Sequence, residues 1–150
     1  MKLIATNRKA QHQYEIFDKF EAGLVLTGTE VKSLRAGRAS INDAFVRVEG
    51  GEAFVYNMHI PEYSHGGVFN HEPTRIRKLL LHRREIDKIA GAISRKGYTC
   101  IPLRLYFKGG WAKLEIALAR GKRKIDKRQE IKKREEERRL RRTIGGRVKV

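Results

Sequence analysis

Two mainly apolar runs, Phe45-Val46-Arg47-Val48-Glu49 and Glu52-Ala53-Phe54-Val55-Tyr56, flank the pair Gly50-Gly51. Short runs rich in aromatic and β-branched residues read as strands, and a glycine pair accepts the positive φ angles of a tight turn, so the pattern predicts a hairpin. The same reasoning predicts a second hairpin from strands Thr99 to Phe107 and Trp111 to Ala119, joined through Lys108-Gly109-Gly110. Strands are also predicted over Tyr14-Glu15-Ile16-Phe17 and from Phe20 to Thr27, with Gly23 marking a bulge or a close backbone approach. A further strand, Arg75 to Leu81, opens with basic and apolar residues in alternation, which assigns Arg75 and Arg77 to one outer face.

Helical spacing occurs in two places. From Arg83 to Lys96, residues Ile86, Ile89, Ala90 and Ile93 share one helical face and Gly97 supplies a left-handed stop. A shorter helix is predicted within Thr29 to Gly37, with Thr29 capping its orphan amides and Gly37 ending it. Residues Pro61 to Pro73 hold Gly66-Gly67 and little periodicity, the signature of an exposed loop. No repeat of fixed period is present, which excludes solenoids and propellers. The sum is a mainly β fold with α, a small closed or partly open OB-type β-barrel with two to three flanking helices.

Charge changes the picture at the C-terminal end. Residues 120–150 carry 15 Lys or Arg against 5 Asp or Glu, so they hold +10 of the formal +17 of the 150-residue chain. Ile125, Ile131, Leu140 and Ile144 are too sparse there to make a continuous helical face. The chain therefore divides into a globular body, 1–119, and a basic tail, 120–150, expected to be disordered when free and to become helical on a polyanion. The pairs Glu130 with Arg134, Glu135 with Arg139 and Glu137 with Arg141 favour that helix by about 0.2 to 0.5 kcal/mol each, too little to secure it alone. Cys100 is the only cysteine, so no disulfide within the chain and no multi-cysteine zinc site can form. The N-terminal apolar run turns polar at Thr6 and no segment approaches membrane-spanning length, so a cytoplasmic location and no membrane association are expected.

Motifs for chemistry are missing. His12, His59, His65, His71 and His82 show no ligand spacing, and neither a Walker loop nor a Gly-x-Ser-x-Gly elbow is present. We therefore expect no enzyme, no cofactor and no metal. A basic tail on a small barrel points to nucleic acid, and composition alone leaves a specific RNA-binding factor, a structural ribosomal protein and a general RNA chaperone open.

Five ordered stretches narrow this choice: Asn7-Arg8-Lys9-Ala10, Phe20-Glu21-Ala22-Gly23, Gly28-Thr29-Glu30-Val31-Lys32-Ser33-Leu34-Arg35-Ala36-Gly37, Arg77-Lys78-Leu79-Leu80-Leu81-His82, and Gly121-Lys122-Arg123-Lys124 through Asp126-Lys127-Arg128. Together they resemble the small protein B family, the bacterial SsrA-binding proteins. The resemblance implies a barrel that grips the tRNA-like part of transfer-messenger RNA and delivers it to the A site of ribosomes stalled on mRNA without a stop codon, for trans-translation. It implies the small ribosomal subunit as a second partner, with the tail in the empty mRNA channel at the decoding centre. Elongation factor Tu and alanyl-tRNA synthetase are implied as proteins acting on the same RNA.

By position in these motifs, Glu21, Leu80 and Lys113 resemble the RNA-contacting residues of the family, joined by Asn7 and Arg8. A carboxylate can accept from base amino groups, an exposed leucine can pack on a splayed base, and lysine can neutralise phosphate. Read without the resemblance, Glu21 balances Lys19 or another cation, Leu80 is a core residue, and Lys113 is uninformative; Trp111 and the tyrosines can stack on bases but more often fill the core of a small barrel. Glu30 and Lys32 read as helix-start residues or surface pairs worth about half a kcal/mol. In the tail the resemblance assigns Gly121, Lys122, Asp126, Lys127 and Arg128 to positioning at the decoding site. Ile125 stands where the family carries an aromatic or histidine, so its contact is apolar and unstacked. Ile125→Ala is accordingly expected to lower tagging on stalled ribosomes, and a variant with unchanged tagging would remove this position from the contact.

Overall fold

The computed structural model of the chain describes residues 1–122. Its elements run β1 (Lys2–Thr6), α1 (Ala10–Gln13), β2 (Tyr14–Leu24), α2 (Gly28–Arg35), β3 (Phe45–Glu49), β4 (Glu52–Tyr56), β5 (Arg77–Leu80), α3 (Arg83–Lys96), β6 (Thr99–Lys108) and β7 (Trp111–Gly121), with one 3-10 turn at Gly67–Phe69. The strands form one sheet in the order β1-β6-β3-β4-β5-β2-β7, and a further pairing of β6 with β7 closes the six strands from β6 to β7 into a ring, with β1 added alongside β6. The fold is therefore mainly β with three helices, as the hydrophobic pattern predicts.

Both predicted hairpins are present. Gly50 and Gly51 have φ of 58° and 77°, and Gly109 and Gly110 have φ of 59° and 81°, the left-handed pair that a two-residue hairpin turn requires. The strand pairs they join run Glu49↔Glu52 to Phe45↔Tyr56, and Lys108↔Trp111 to Thr99↔Ala119. β7 continues two residues past Ala119. The two strand runs predicted between Tyr14 and Thr27 are one strand that ends at Leu24. β1 was not expected: its five residues carry no clear alternation, and pairing with β6 from Lys2↔Phe107 to Thr6↔Arg104 makes the strand.

The core lies inside the ring, where Val46, Val55, Leu79, Leu105, Leu114 and Ile116 meet Leu34 of α2 and Ile86 and Ile89 of α3. α3 matches its predicted span, with Gly97 at φ 68° closing it through a bond to Ala92 O. Cys100 belongs to this core, and burial pushes its thiol up to about 12, which keeps it protonated and inert.

The N-cap of α2 stands two residues before the predicted one. Thr27 is the N-cap, and its amide donates to Glu30 Oε1 at 2.8 Å. Thr29 instead bonds His71 Nδ1 at 2.8 Å, while His71 Nε2 lies 2.8 Å from Ile60 O and Ser33 donates to Pro61 O at 2.7 Å. The Thr29 and Ser33 contacts fasten the 57–73 segment to the helix, and the His71–Ile60 contact holds the segment together.

Glu30 and Arg77 correct the sequence reading most. Neither is at the surface: both side chains are fully buried and pair with each other through Arg77 Nε. Arg77 also donates to Met58 O at 2.6 Å and Pro73 O at 3.0 Å, and Arg75 donates to Glu30 Oε1 at 2.7 Å. Every buried donor of Arg77 thus has an acceptor, which is the condition for keeping a guanidinium out of water. Burial alone would raise the Glu30 carboxyl, but hydrogen bonds from Arg75, the Thr27 amide and Arg77 overcome it and hold the group at about 2 against an ordinary 4.5. A depressed carboxylate contributes stability that is complete above the unfolded-state value and is lost as pH falls through the folded one. Glu30 should therefore contribute about 3 kcal/mol at neutral pH, lost between pH 4.5 and about 2. Glu30→Gln should cost about 3 to 5 kcal/mol at pH 7 and flatten that acid limb, read by urea unfolding from pH 7 to pH 2. An unchanged limb in the variant would assign the acid transition to other groups.

Candidate nucleic-acid interface

Side chains in a strand alternate between faces, so the phase of β5 decides what the cleft beside it contains. Arg77 and Leu79 point inward, and Lys78 and Leu80 outward. Leu80 is consequently 54% exposed, which overturns its reading as a core residue. It pairs with Gly23 of β2, where a Cβ would stand 3.3 Å from Leu80 Cβ. Gly23 is thus a close approach, one of the two roles predicted for it, and it makes room for an outward leucine at the β2–β5 seam.

Glu21 stands two residues before Gly23, on the same face of β2. Lys113 comes from β7, the neighbouring strand on the other side. Glu21, Gly23, Leu80 and Lys113 line one open cleft of about 370 Å³ with Leu81, His82 and Glu85. The structure therefore brings together the three residues singled out in the Phe-Glu-Ala-Gly, Leu-Leu-Leu and Trp111-turn motifs, which are 92 positions apart at their extremes.

The cation that Glu21 meets is Lys108 and not Lys19. Tyr106 of β6 donates its hydroxyl to Glu21 Oε2, and Lys108 Nζ lies 3.5 Å from the same oxygen. The Tyr106 hydrogen bond, with Lys108 and Lys113 adding positive charge, holds the Glu21 carboxyl below its usual range despite partial desolvation. The cleft thus presents an ionised carboxylate, an ammonium and an apolar side chain side by side. His82, Glu85 and Tyr106 were not singled out in the sequence. His82 and Glu85 could have been, because a residue followed by Glu three positions later at the start of an apolar-periodic run is a capping signal, and the Glu85 carboxylate indeed accepts from the His82 amide at 3.0 Å.

The remaining candidates lie elsewhere. Asn7 is only 6% exposed and donates Nδ2 to Pro102 O at 2.9 Å, while Arg8 is exposed. Asn7 borders a second cleft of about 680 Å³ with Gln11, Tyr14, Lys19 and Arg104. Trp111, read as core, is 73% exposed and sits on β7 two residues from Lys113. Gly121 ends β7 and Lys122 follows it. Ile125, Asp126, Lys127 and Arg128 and the tail helix lie outside the described residues. Among the described residues, no helix is long and apolar enough to cross a membrane.

Ring topology and cleft define a small antiparallel β protein that carries an exposed polar and apolar groove on the sheet's outer face. The family model described as SmpB protein matches residues 4–146. The SsrA-binding protein of Acidothermus cellulolyticus is 57% identical over 148 residues, covering 99% of this chain and 93% of that protein. The SsrA-binding proteins of Streptomyces coelicolor and Geobacillus thermodenitrificans are 58% and 52% identical, over 96% and 99% of this chain and 91% and 96% of theirs. A solved chain described as "tmRNA-SmpB: a journey to the center of the bacterial ribosome" superposes with a TM-score of 0.68 at 45% identity, covering 84% of this chain and 92% of that chain. The chain belongs to the SmpB family.

The phase of β5 has a direct test. Leu79→Ala should lower unfolding free energy by about 2 to 4 kcal/mol, and Leu80→Ala by less than about 1 kcal/mol. Equal losses in denaturant unfolding would place both leucines in the core.

Proposed function

We propose that the chain binds the tRNA-like part of transfer-messenger RNA through the Glu21–Leu80–Lys113 cleft and brings it to the A site of stalled ribosomes for trans-translation. The observation that carries this reading is Leu80, a large apolar side chain held in solvent in one cleft with a carboxylate and an ammonium. No folding requirement explains that arrangement, and an unstacked nucleotide fits it. The leucine meets a base face, Glu21 accepts from a base amino group, and Lys113 neutralises a phosphate. Trp111 adds an exposed ring on which a further base can stack. The relatives' name, SsrA-binding protein, and the solved tmRNA-SmpB chain support the same partner.

In this reading the chain acts by binding alone. Asn7 and Arg8 supply a secondary contact region, and the basic segment after β7 follows the mRNA channel of the small subunit. Gly121, Lys122, Ile125, Asp126, Lys127 and Arg128 set its path at the decoding centre, and the 10 excess positive charges of residues 120–150 match ribosomal RNA. Elongation factor Tu and alanyl-tRNA synthetase would meet the same RNA at its acceptor end.

The deciding experiment is competition binding at one fixed near-physiological salt concentration, because phosphate contacts make affinity steeply salt-dependent. Transfer-messenger RNA should be preferred strongly over bulk tRNA and over random RNA of equal length, and Leu80→Ala should lose about tenfold in affinity for it. Equal binding to all three RNAs would leave a general RNA chaperone.

A further inference from the structure

We infer that Tyr106 is a positioning residue for RNA recognition: its hydroxyl, reaching across β7, fixes the Glu21 carboxylate so that Oε1 alone is offered to the RNA. This rests on the binding function proposed above and adds to it a residue that never has to touch RNA.

β6 and β2 are not neighbours. β7 lies between them, so Tyr106 and Glu21 belong to strands about 10 Å apart, two inter-strand spacings. Only long side chains with polar ends can bridge that gap, and a phenol meeting a glutamate does so. Tyr106 is 2% exposed, pairs across the ladder with Lys113, and carries the Arg104 guanidinium 5.7 Å from its ring centroid. Arg104 is itself held by two hydrogen bonds to Glu115, at 3.2 and 2.9 Å. The phenol is therefore fixed by packing on one side and by a bound guanidinium on the other, and its direction toward Glu21 is set before any ligand arrives.

Both contacts made to Glu21 fall on one oxygen. Tyr106 Oη and Lys108 Nζ meet Oε2, and Oε1 takes no hydrogen bond among the described residues. A carboxylate free to rotate could present either oxygen, or both, to a base edge or turn away from phosphate. Held at Oε2, this cleft-lining carboxylate keeps Oε1 as its unoccupied oxygen, suited to an amino donor of a splayed base. Burial, and then the hydrogen bond to Glu21, pushes the Tyr106 phenol up to about 12, so it stays a donor at any physiological pH. The charged groups around Glu21 are Lys108 of β6, Lys113 of β7, and His82 and Glu85 at the start of α3.

Tyr106→Phe deletes one oxygen and keeps the ring, so it separates positioning from packing. The comparison uses the full chain as wild type, Tyr106→Phe, Glu21→Gln and the double variant, with transfer-messenger RNA at one salt concentration. Thermal melting reports folding, and a carbon-13 NMR titration of the Glu21 side chain in the free protein reports the hydrogen bond. We expect Tyr106→Phe to melt close to wild type, to let the Glu21 carboxyl titrate nearer the ordinary glutamate range, and to bind about fivefold more weakly. The double variant should bind no more weakly than Glu21→Gln alone, because both changes remove one unit. Unchanged binding by Tyr106→Phe, or losses that multiply in the double variant, would overturn the inference. If Tyr106→Phe destabilises the fold, the Tyr106 hydroxyl proton of the wild type is read by NMR instead: a slowly exchanging resonance that shifts in Glu21→Gln is expected, and its absence would overturn the inference. A wild type without preference for transfer-messenger RNA would refute the proposed function instead, and an unmoved Glu21 titration would still refute the hydrogen bond.

Discussion

The buried pair of Glu30 and Arg77 fixes the side of the sheet on which the cleft opens. Arg77 is the first residue of β5, and drawing its guanidinium inward to Glu30, Met58 O and Pro73 O commits every alternate residue after it. Leu79 follows it inward and Leu80 goes out. A slip of one residue would bury Leu80 and expose a cation with no hydrophobic partner on that face. Glu30 belongs to α2 and Met58 and Pro73 to the segment that crosses from β4 to β5, so one ionic contact ties a helix, a connection and a strand together. Its strength comes from completeness: each polar atom taken out of water meets a counterpart, without which the desolvation cost would exceed the attraction.

The cleft inherits its composition from that phase and from two neighbouring strands. Gly23 supplies the space for Leu80, β2 supplies Glu21 two residues earlier, and β7 supplies Lys113. Positive charge on the body and after β7 gives long-range attraction to RNA, which every basic protein has. In the proposed binding mode, the fixed Glu21 carboxylate within that field does the opposite at short range. There it would repel phosphate and favour a base amino group, turning general affinity into discrimination. Tyr106, Lys108 and Lys113 keep that carboxylate ionised and in place.

Local signals carried far in this chain. Paired glycines with positive φ marked both hairpins, and the spacing of Ile86 and Ile89 with a terminal Gly97 marked α3, because turns and amphipathic helices are settled by neighbours a few residues away. The five motifs carried the family, and with it the choice of Glu21, Leu80 and Lys113. The reading failed where a polar residue is inside or an apolar one outside. Arg75-Ile76-Arg77 looks like an outer basic face, since nothing within the strand reveals that Glu30, 47 positions earlier, receives Arg77. Trp111 looks like core, yet it stands in solvent at the hairpin end. β1 has no pattern of its own and exists through β6.

The amino-acid sequence by itself determined the fold class, the hairpins, the long helix, the charge asymmetry and the family, because each rests on short-range periodicity, turn geometry or composition. Only the tertiary structure decided that Glu30 and Arg77 are a buried pair, that β5 turns Leu80 outward, and that Tyr106 reaches Glu21 across β7. Those outcomes depend on partners far away in the chain whose hydrogen bonds make burial tolerable, and alternation alone is equally consistent with either face.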